Sequence, residues 1–175
     1  MRNPSSNHYV RAFEGWLRDN RIHYVPIDQS KRSAFSRLKI RSFDFLVYLP
    51  DGQMLITEIR GRKFRGTSLA KLTGLENWVT TDDIEGLQWW KGVFTDAAGA
   101  VFVFVYMLEN VDIESDGREI YDYGSNRYVF LTVTVDDYCS HMSIRSPRWQ
   151  TVTLPADSFR QCAVSLEQLL LRRES

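Results

Sequence analysis

Asp44, Glu58 and Arg60 are the residues whose types and spacing suit chemistry. They flank Pro50-Asp51-Gly52, a turn between the apolar runs 43 to 49 and 53 to 60, and together these segments read as a β-hairpin. Pro50 suits the first central position of a type I turn, Asp51 the second, and Gly52 the left-handed position of a three-residue loop with a bulge. In that register Leu49 faces Gln53, opposite positions sum to 102, and Asp44 faces Glu58. Alternation along the strand places Arg60 on the same face. A two-residue Asp51-Gly52 loop would instead set Asp44 opposite Ile59 and separate the two acids.

Two carboxylates a few ångströms apart repel, and one is protonated unless a divalent cation neutralises them. Their hard oxygens suit Mg²⁺ or Mn²⁺, which keep several waters and accept phosphate oxygens. Such an ion acidifies a bound water and polarises a phosphoryl group, which is the chemistry of metal-assisted phosphodiester hydrolysis. The plainer reading of the same residues is a cross-strand salt bridge between Asp44 and Arg60.

The elements that must position these residues are legible in the periodicity. Tyr9, Ala12, Phe13, Trp16 and Leu17 recur at helical spacing and predict a helix over 8 to 20. A short strand over 22 to 27 follows, with Pro26 at its end, then a polar, basic loop from 28 to 41. After the hairpin, 61 to 77 reads as a connection with one helical turn. Asp82 as N-cap, with Glu85 as its capping-box partner, predicts a helix over 82 to 94, which Gly86 and Gly92 weaken. The run 101 to 108 is apolar throughout, as a central strand covered on both faces should be. Strands over 128 to 135 and 148 to 154, a helical turn over 136 to 140, and a last helix capped by Ser165 with Gln168 complete the chain.

The chain has 175 residues and a formal net charge of +0. That length and its apolar content predict a single domain and exclude intrinsic disorder. Its longest apolar run, 97 to 108, is too short to span a membrane, and the N-terminal residues carry no apolar core for secretion, so the expected location is cytoplasmic. Two cysteines, Cys139 and Cys162, are too few for a disulfide scaffold or a four-ligand zinc site. The neutral total hides an asymmetry. Residues 31 to 71 hold ten bases against three acids, and residues 72 to 122 hold eleven acids against two bases. The basic block is where a polyanion would dock, or else a solvated charged face.

Phe43-Asp44 followed by Thr57-Glu58-Ile59-Arg60-Gly61-Arg62-Lys63 resembles the PD-(D/E)XK superfamily of restriction-endonuclease-like nucleases. The resemblance covers residues 8 to 108. The order of elements agrees as well: helix, three strands, helix, strand, with the first acid on the second strand and the Glu on the third. It implies an α/β fold of three layers, with a mixed central sheet flanked by helices, and leaves 109 to 175 as an elaboration with extra strands and a closing helix. It further implies a divalent-metal-dependent nuclease acting on DNA or RNA, with Asp44 and Glu58 holding Mg²⁺ or Mn²⁺. Arg60 stands where the family carries Lys, and its guanidinium clamps phosphate but does not act as a base near neutrality. Lys63 is the nearest lysine, though alternation points it to the opposite face.

By the same resemblance Glu14 and Gln88 are the flanking-helix positions that would complete a catalytic set. Relatives with a Gln at the latter site carry Tyr four residues later, where this chain has Gly92. Arg41, Arg62, Lys63 and Arg65 lie beside the motif as phosphate contacts. Pairing of two copies, a homodimer, is the family's means of cutting two strands. The Arg60 substitution supports a second reading, a catalytically inactive member that binds nucleic acid or a partner protein. Trp16, Trp78, Trp89 and Trp90 read either as base-stacking groups or as core.

Overall fold

The computed structural model describes residues 7–27, 41–95 and 97–171. Of the loop expected over 28 to 41, residues 28 to 40, with Lys31, Arg32, Arg37 and Lys39, lie outside the described residues.

The first helix, α1 (Asn7–Asp19), leads into strand β1 (Tyr24–Pro26) and then the hairpin of β2 (Phe45–Tyr48) and β3 (Met54–Phe64). Strand β3 runs without a break through Gly61, where a connection was expected, because its whole length pairs in parallel with β5 (Ala97–Leu108) as far as Phe64 against Leu108. Between them come β4 (Val79–Thr80) and helix α2 (Thr81–Val93). Then follow β6 (Tyr121–Tyr123), β7 (Asn126–Thr134), α3 (Val135–His141), β8 (Ser143–Ser146), β9 (Thr151–Thr153), α4 (Ala156–Cys162), β10 (Val164–Ser165) and α5 (Leu166–Leu170).

Among the described residues the strands form a seven-stranded mixed sheet in the order β1-β2-β3-β5-β7-β10, with β6 also on β7, and a three-stranded sheet β4-β9-β8. Strand β5 is central, as its apolar run predicted: β3 lies on one side, β7 antiparallel on the other, and residues 100–106 are buried. Residues beyond 109 thus supply β7 and β10 to the same sheet.

Helices cover both faces, and the alternation of β3 and β5 sorts the core into two halves. Leu55, Ile59, Val101, Val103 and Val105 pack with Phe13, Trp16 and Leu17 of α1. Ile56, Phe64, Phe102, Phe104 and Tyr106 pack with Ile84, Leu87 and Trp90 of α2. Gly61 faces α1 so closely that a Cβ there would sit 2.2 Å from the Tyr9 ring. The architecture is three-layered α/β with a mixed central sheet.

Four details differ from the sequence expectations. Helix α2 is capped by Thr80 with Asp83, not by Asp82 with Glu85. Residues 65–78 contain no helical turn. The strand expected over 148 to 154 is confined to β9, because Pro147 to Gln150 form a turn joining β8 to β9. The short elements β6, β8, α4 and β10 lacked a period long enough to be read. The last helix keeps its predicted box, with Ser165 and Gln168 exchanging hydrogen bonds. Among the described residues no helix is long and apolar enough to cross a membrane.

Candidate active site

The hairpin turn sets the site. Leu49 N–H donates to Gln53 O at 2.8 Å, Gly52 N–H donates back to Leu49 O at 2.9 Å, and Gly52 has φ +85°. Asp51 stiffens the loop by accepting Gln53 N–H at 2.9 Å. The three-residue loop fixes Phe45 opposite Thr57 and Tyr48 opposite Met54. Asp44 precedes β2, and its N–H donates to Thr57 O at 3.0 Å, so the regular ladder ends at Phe45 and does not include the expected pair of Asp44 and Glu58. Asp44 Oδ2 accepts the backbone N–H of Ile59 at 2.8 Å, which ties the two strands at that point. Both acids are buried, Asp44 at 2% exposure and Glu58 at 5%.

Glu58, Arg60 and Arg62 alternate onto the face covered by α2, between Ile56 and Phe64 of that half of the core. The Arg60 guanidinium is held from two sides. Its Nη1 lies 2.6 Å from Glu58 Oε1 and its Nη2 2.6 Å from Asp83 Oδ1. Asp83 comes from the first turn of α2, and the sequence reading missed it. Its Oδ2 accepts Thr80 N–H at 3.0 Å in the capping box, so one carboxylate both caps the helix and anchors Arg60. The signal was present as Thr80-x-x-Asp83, a second capping-box pattern two residues before the one chosen.

Burial by itself would lower the Arg60 pKa, but the negative charges of Glu58, Asp83 and Asp44 raise it above the ordinary value. Arg60 is therefore a permanent cation. Burial pushes the Asp83 carboxyl up, and the Arg60 charge together with the Thr80 hydrogen bonds outweighs it, leaving Asp83 below the usual carboxylate range.

Arg41 completes the cluster, 3.0 Å from Asp83 Oδ1 with its side chain 54% exposed. Trp90 Nε1 donates to Arg41 O at 2.7 Å, and Gly86 lets that backbone approach α2, since a Cβ there would lie 3.2 Å from Arg41 Cβ. Arg41, Ser42, Glu58, Asp83, Gly86 and Leu87 line a small opening between the hairpin and α2.

The other sequence-predicted residues lie apart from this cluster. Glu14 belongs to α1, on the opposite face of the sheet, and accepts the Tyr24 hydroxyl at 2.8 Å. Gln88 is exposed and donates to Cys139 Sγ at 3.3 Å, toward α3. Arg62 turns inward instead of offering itself to phosphate: it donates to Trp78 O at 2.7 Å and lies over the Trp78 ring at 4.2 Å. Burial, then the Arg60 charge beside it, holds its pKa below the ordinary value. Lys63 lies on the α1 side, as alternation required, and shares Glu109 with Arg65 at 3.7 and 2.8 Å. Of the tryptophans, Trp16 and Trp90 are core, and Trp89 is 43% exposed.

Asp44 and Glu58 offer the hard oxygens that Mg²⁺ and Mn²⁺ prefer, and with Asp83 they give the cluster three negative charges against the two of Arg41 and Arg60. Among the described residues no group of three or more His, Cys, Asp and Glu converges on one point. The donor set therefore fits an ion that takes one or two carboxylates and completes its shell with water and phosphate oxygens, as Mg²⁺ does. A cation held by Glu58 would have to share that carboxylate with Arg60.

Comparison with known proteins agrees at the level of fold. The chain is similar to Hjc of Archaeoglobus fulgidus, a Holliday junction resolvase from an archaeal hyperthermophile, with a TM-score of 0.54 over 97% of this chain and 98% of that one, at 8% sequence identity. Hjc has the restriction-endonuclease-like fold, and this chain shares that fold. No family model and no curated protein matches the sequence.

Proposed function

We propose that the chain is a divalent-metal-dependent nuclease of the PD-(D/E)XK type, acting on DNA or RNA. The observation that carries this reading is buried Asp44 bound through Oδ2 to the backbone N–H of Ile59, next to buried Glu58, with Arg60 2.6 Å from Glu58. Likeness of fold to a Holliday junction resolvase supports it and favours DNA as substrate. Asp44 and Glu58 would hold Mg²⁺ or Mn²⁺, which when bound acidifies a water and polarises the phosphoryl group.

The chain's own residues do the rest. Arg60 brings positive charge to the phosphate as negative charge builds on it, and remains protonated at every working pH. Asp83 keeps that guanidinium oriented when Glu58 is taken up elsewhere. Arg41, half in solvent at the mouth, positions the backbone of the nucleic acid. Cutting both strands of a duplex calls for two copies of the chain.

The test is cleavage of labelled single-stranded, duplex and branched DNA and RNA in Mg²⁺ or Mn²⁺. Cleavage by the wild type that disappears in Glu58→Ala supports the nuclease. A second reading, a nuclease-fold protein that binds nucleic acid without cutting it, draws on the double grip of Glu58 and Asp83 on Arg60, which puts a fixed internal cation against the metal ligand. On that reading the wild type cuts nothing, while Arg60→Lys, with a thinner and more mobile cation, gains cleavage.

A further inference from the structure

The hairpin of β8 and β9 carries the largest exposed aromatic among the described residues, and nothing in the proposed cleavage chemistry uses it. Trp149 is 67% exposed at the turn. The Arg148 guanidinium lies over its ring at 5.1 Å, and Arg145 lies over Trp78 at 5.1 Å. From Met142 to Ala156 the chain has two arginines and no acid. Leaving a tryptophan in water forgoes the burial that would stabilise it.

The turn is anchored, not merely extended. Gln150 adopts φ +50° and its carbonyl accepts Thr81 N–H, the first residue of α2, at 2.9 Å. Strand β9 pairs with β4, Thr151 opposite Thr80. Thr80 caps the same helix turn whose Asp83 grips Arg60. The turn that carries the exposed ring is thereby held at the N-terminal end of α2, where Asp83 grips Arg60. Trp78 joins the two regions, since Arg62 of β3 lies on it at 4.2 Å beside Arg145.

We infer that the β8–β9 hairpin is a docking element for single-stranded nucleic acid, with Trp149 stacking on an unpaired base and Arg145 and Arg148 meeting the adjoining phosphates. The inference rests on the nuclease reading only for placing a nucleic acid beside Arg60. Two chemical features select this occupant. Two arginines on a segment with no acid of its own complement a polyanion, and an exposed aromatic on an anchored turn finds a π-face only where bases are unstacked, which a closed duplex does not offer. A substrate with an unpaired arm or junction would place its loose strand here and its scissile backbone at the cluster.

The experiment is fluorescence anisotropy of the full chain in EDTA, so that no cleavage intervenes. The probes are a labelled oligothymidine of about 12 nucleotides and a labelled duplex of the same length. Trp149→Ala should weaken oligothymidine binding by about tenfold, with duplex binding changed less than about twofold, and Trp149→Phe should restore most of the loss. Arg148→Ala should flatten the salt dependence of oligothymidine binding by about 0.7 in log–log slope. No binding of oligothymidine by the wild type overturns the inference, and so does equal binding by wild type and Trp149→Ala. Loss of self-association in Trp149→Ala, by sedimentation and without loss of oligothymidine affinity, assigns the ring to a second copy and also overturns it. The outcome is separable from the nuclease reading. Trp149-dependent binding without Glu58-dependent cleavage supports the docking element alone, and the converse supports the nuclease alone.

Discussion

Arg60 decides what this site does, because one guanidinium answers two buried carboxylates. Removing one partner of a buried, hydrogen-bonded charge pair leaves the other uncompensated, at a cost of about 3 kcal/mol or more. Asp83→Asn should therefore destabilise the chain by about that much in urea denaturation, part of it through the lost capping box. The pH dependence has a definite sign. The folded pKa of Asp83 lies below its ordinary 3.8, so its contribution is complete above that value and is lost as pH falls below it toward the folded pKa. Stability measured against pH should decline on the acid side in the wild type and flatten there in Asp83→Asn. Metal affinity offers a third reading of the same contacts. Mn²⁺ binding by calorimetry should vanish in Glu58→Ala and strengthen by about tenfold or more in Arg60→Ala, where the competing charge is gone.

At the scale of elements, glycines report how tightly the layers meet. The sequence treats Gly86 and Gly92 alike, as weak points of one helix, and the structure separates them. A Cβ at Gly86 would press on Arg41 at 3.2 Å, whereas one at Gly92 would meet nothing within 4 Å. Gly92→Ala should stabilise the chain by about 0.5 to 1 kcal/mol, read as a raised melting temperature, because the helix loses a flexible residue at no steric cost. Gly61→Ala should destabilise it by roughly 1 to 3 kcal/mol, since α1 must move off β3 to clear Tyr9. The hairpin turn was legible because its chemistry is local: Pro50, Asp51 and Gly52 fix the loop, and the loop fixes the register. The true cap of α2 was misplaced by two residues because Asp82 and Asp83, behind Thr80 and Thr81, offer several capping frames, and only the partner Arg60 selects one.

For the whole molecule, described bases of the basic block find partners in the acidic one. Glu109 takes both Lys63 and Arg65, Glu76 lies 3.9 Å from Arg62, and Asp83 holds Arg41 and Arg60. The described bases of the motif region thus carry acid partners and do not form one bare cationic face. Freeing two of them should expose the difference. Glu109→Gln should raise affinity for nucleic acid severalfold and steepen its salt dependence by up to about 1 to 2 in log–log slope, measured by anisotropy over a salt series.

The sequence by itself determined what depends on neighbours within a few residues. It determined the hairpin and its register as far as Phe45, the shared face of Glu58 and Arg60, the buried central strand and the Ser165 cap. These rest on turn chemistry, strand alternation and apolar content, which act locally. Tertiary structure decided the rest. It recruited Asp83, 25 positions beyond Glu58, to grip Arg60, turned Arg62 onto Trp78, left Glu14 and Gln88 with other partners, and carried Trp149 to the end of α2. Each of these is a pairing between distant segments, and a side chain's partner across such a distance is chosen by how the layers pack, which no local pattern encodes.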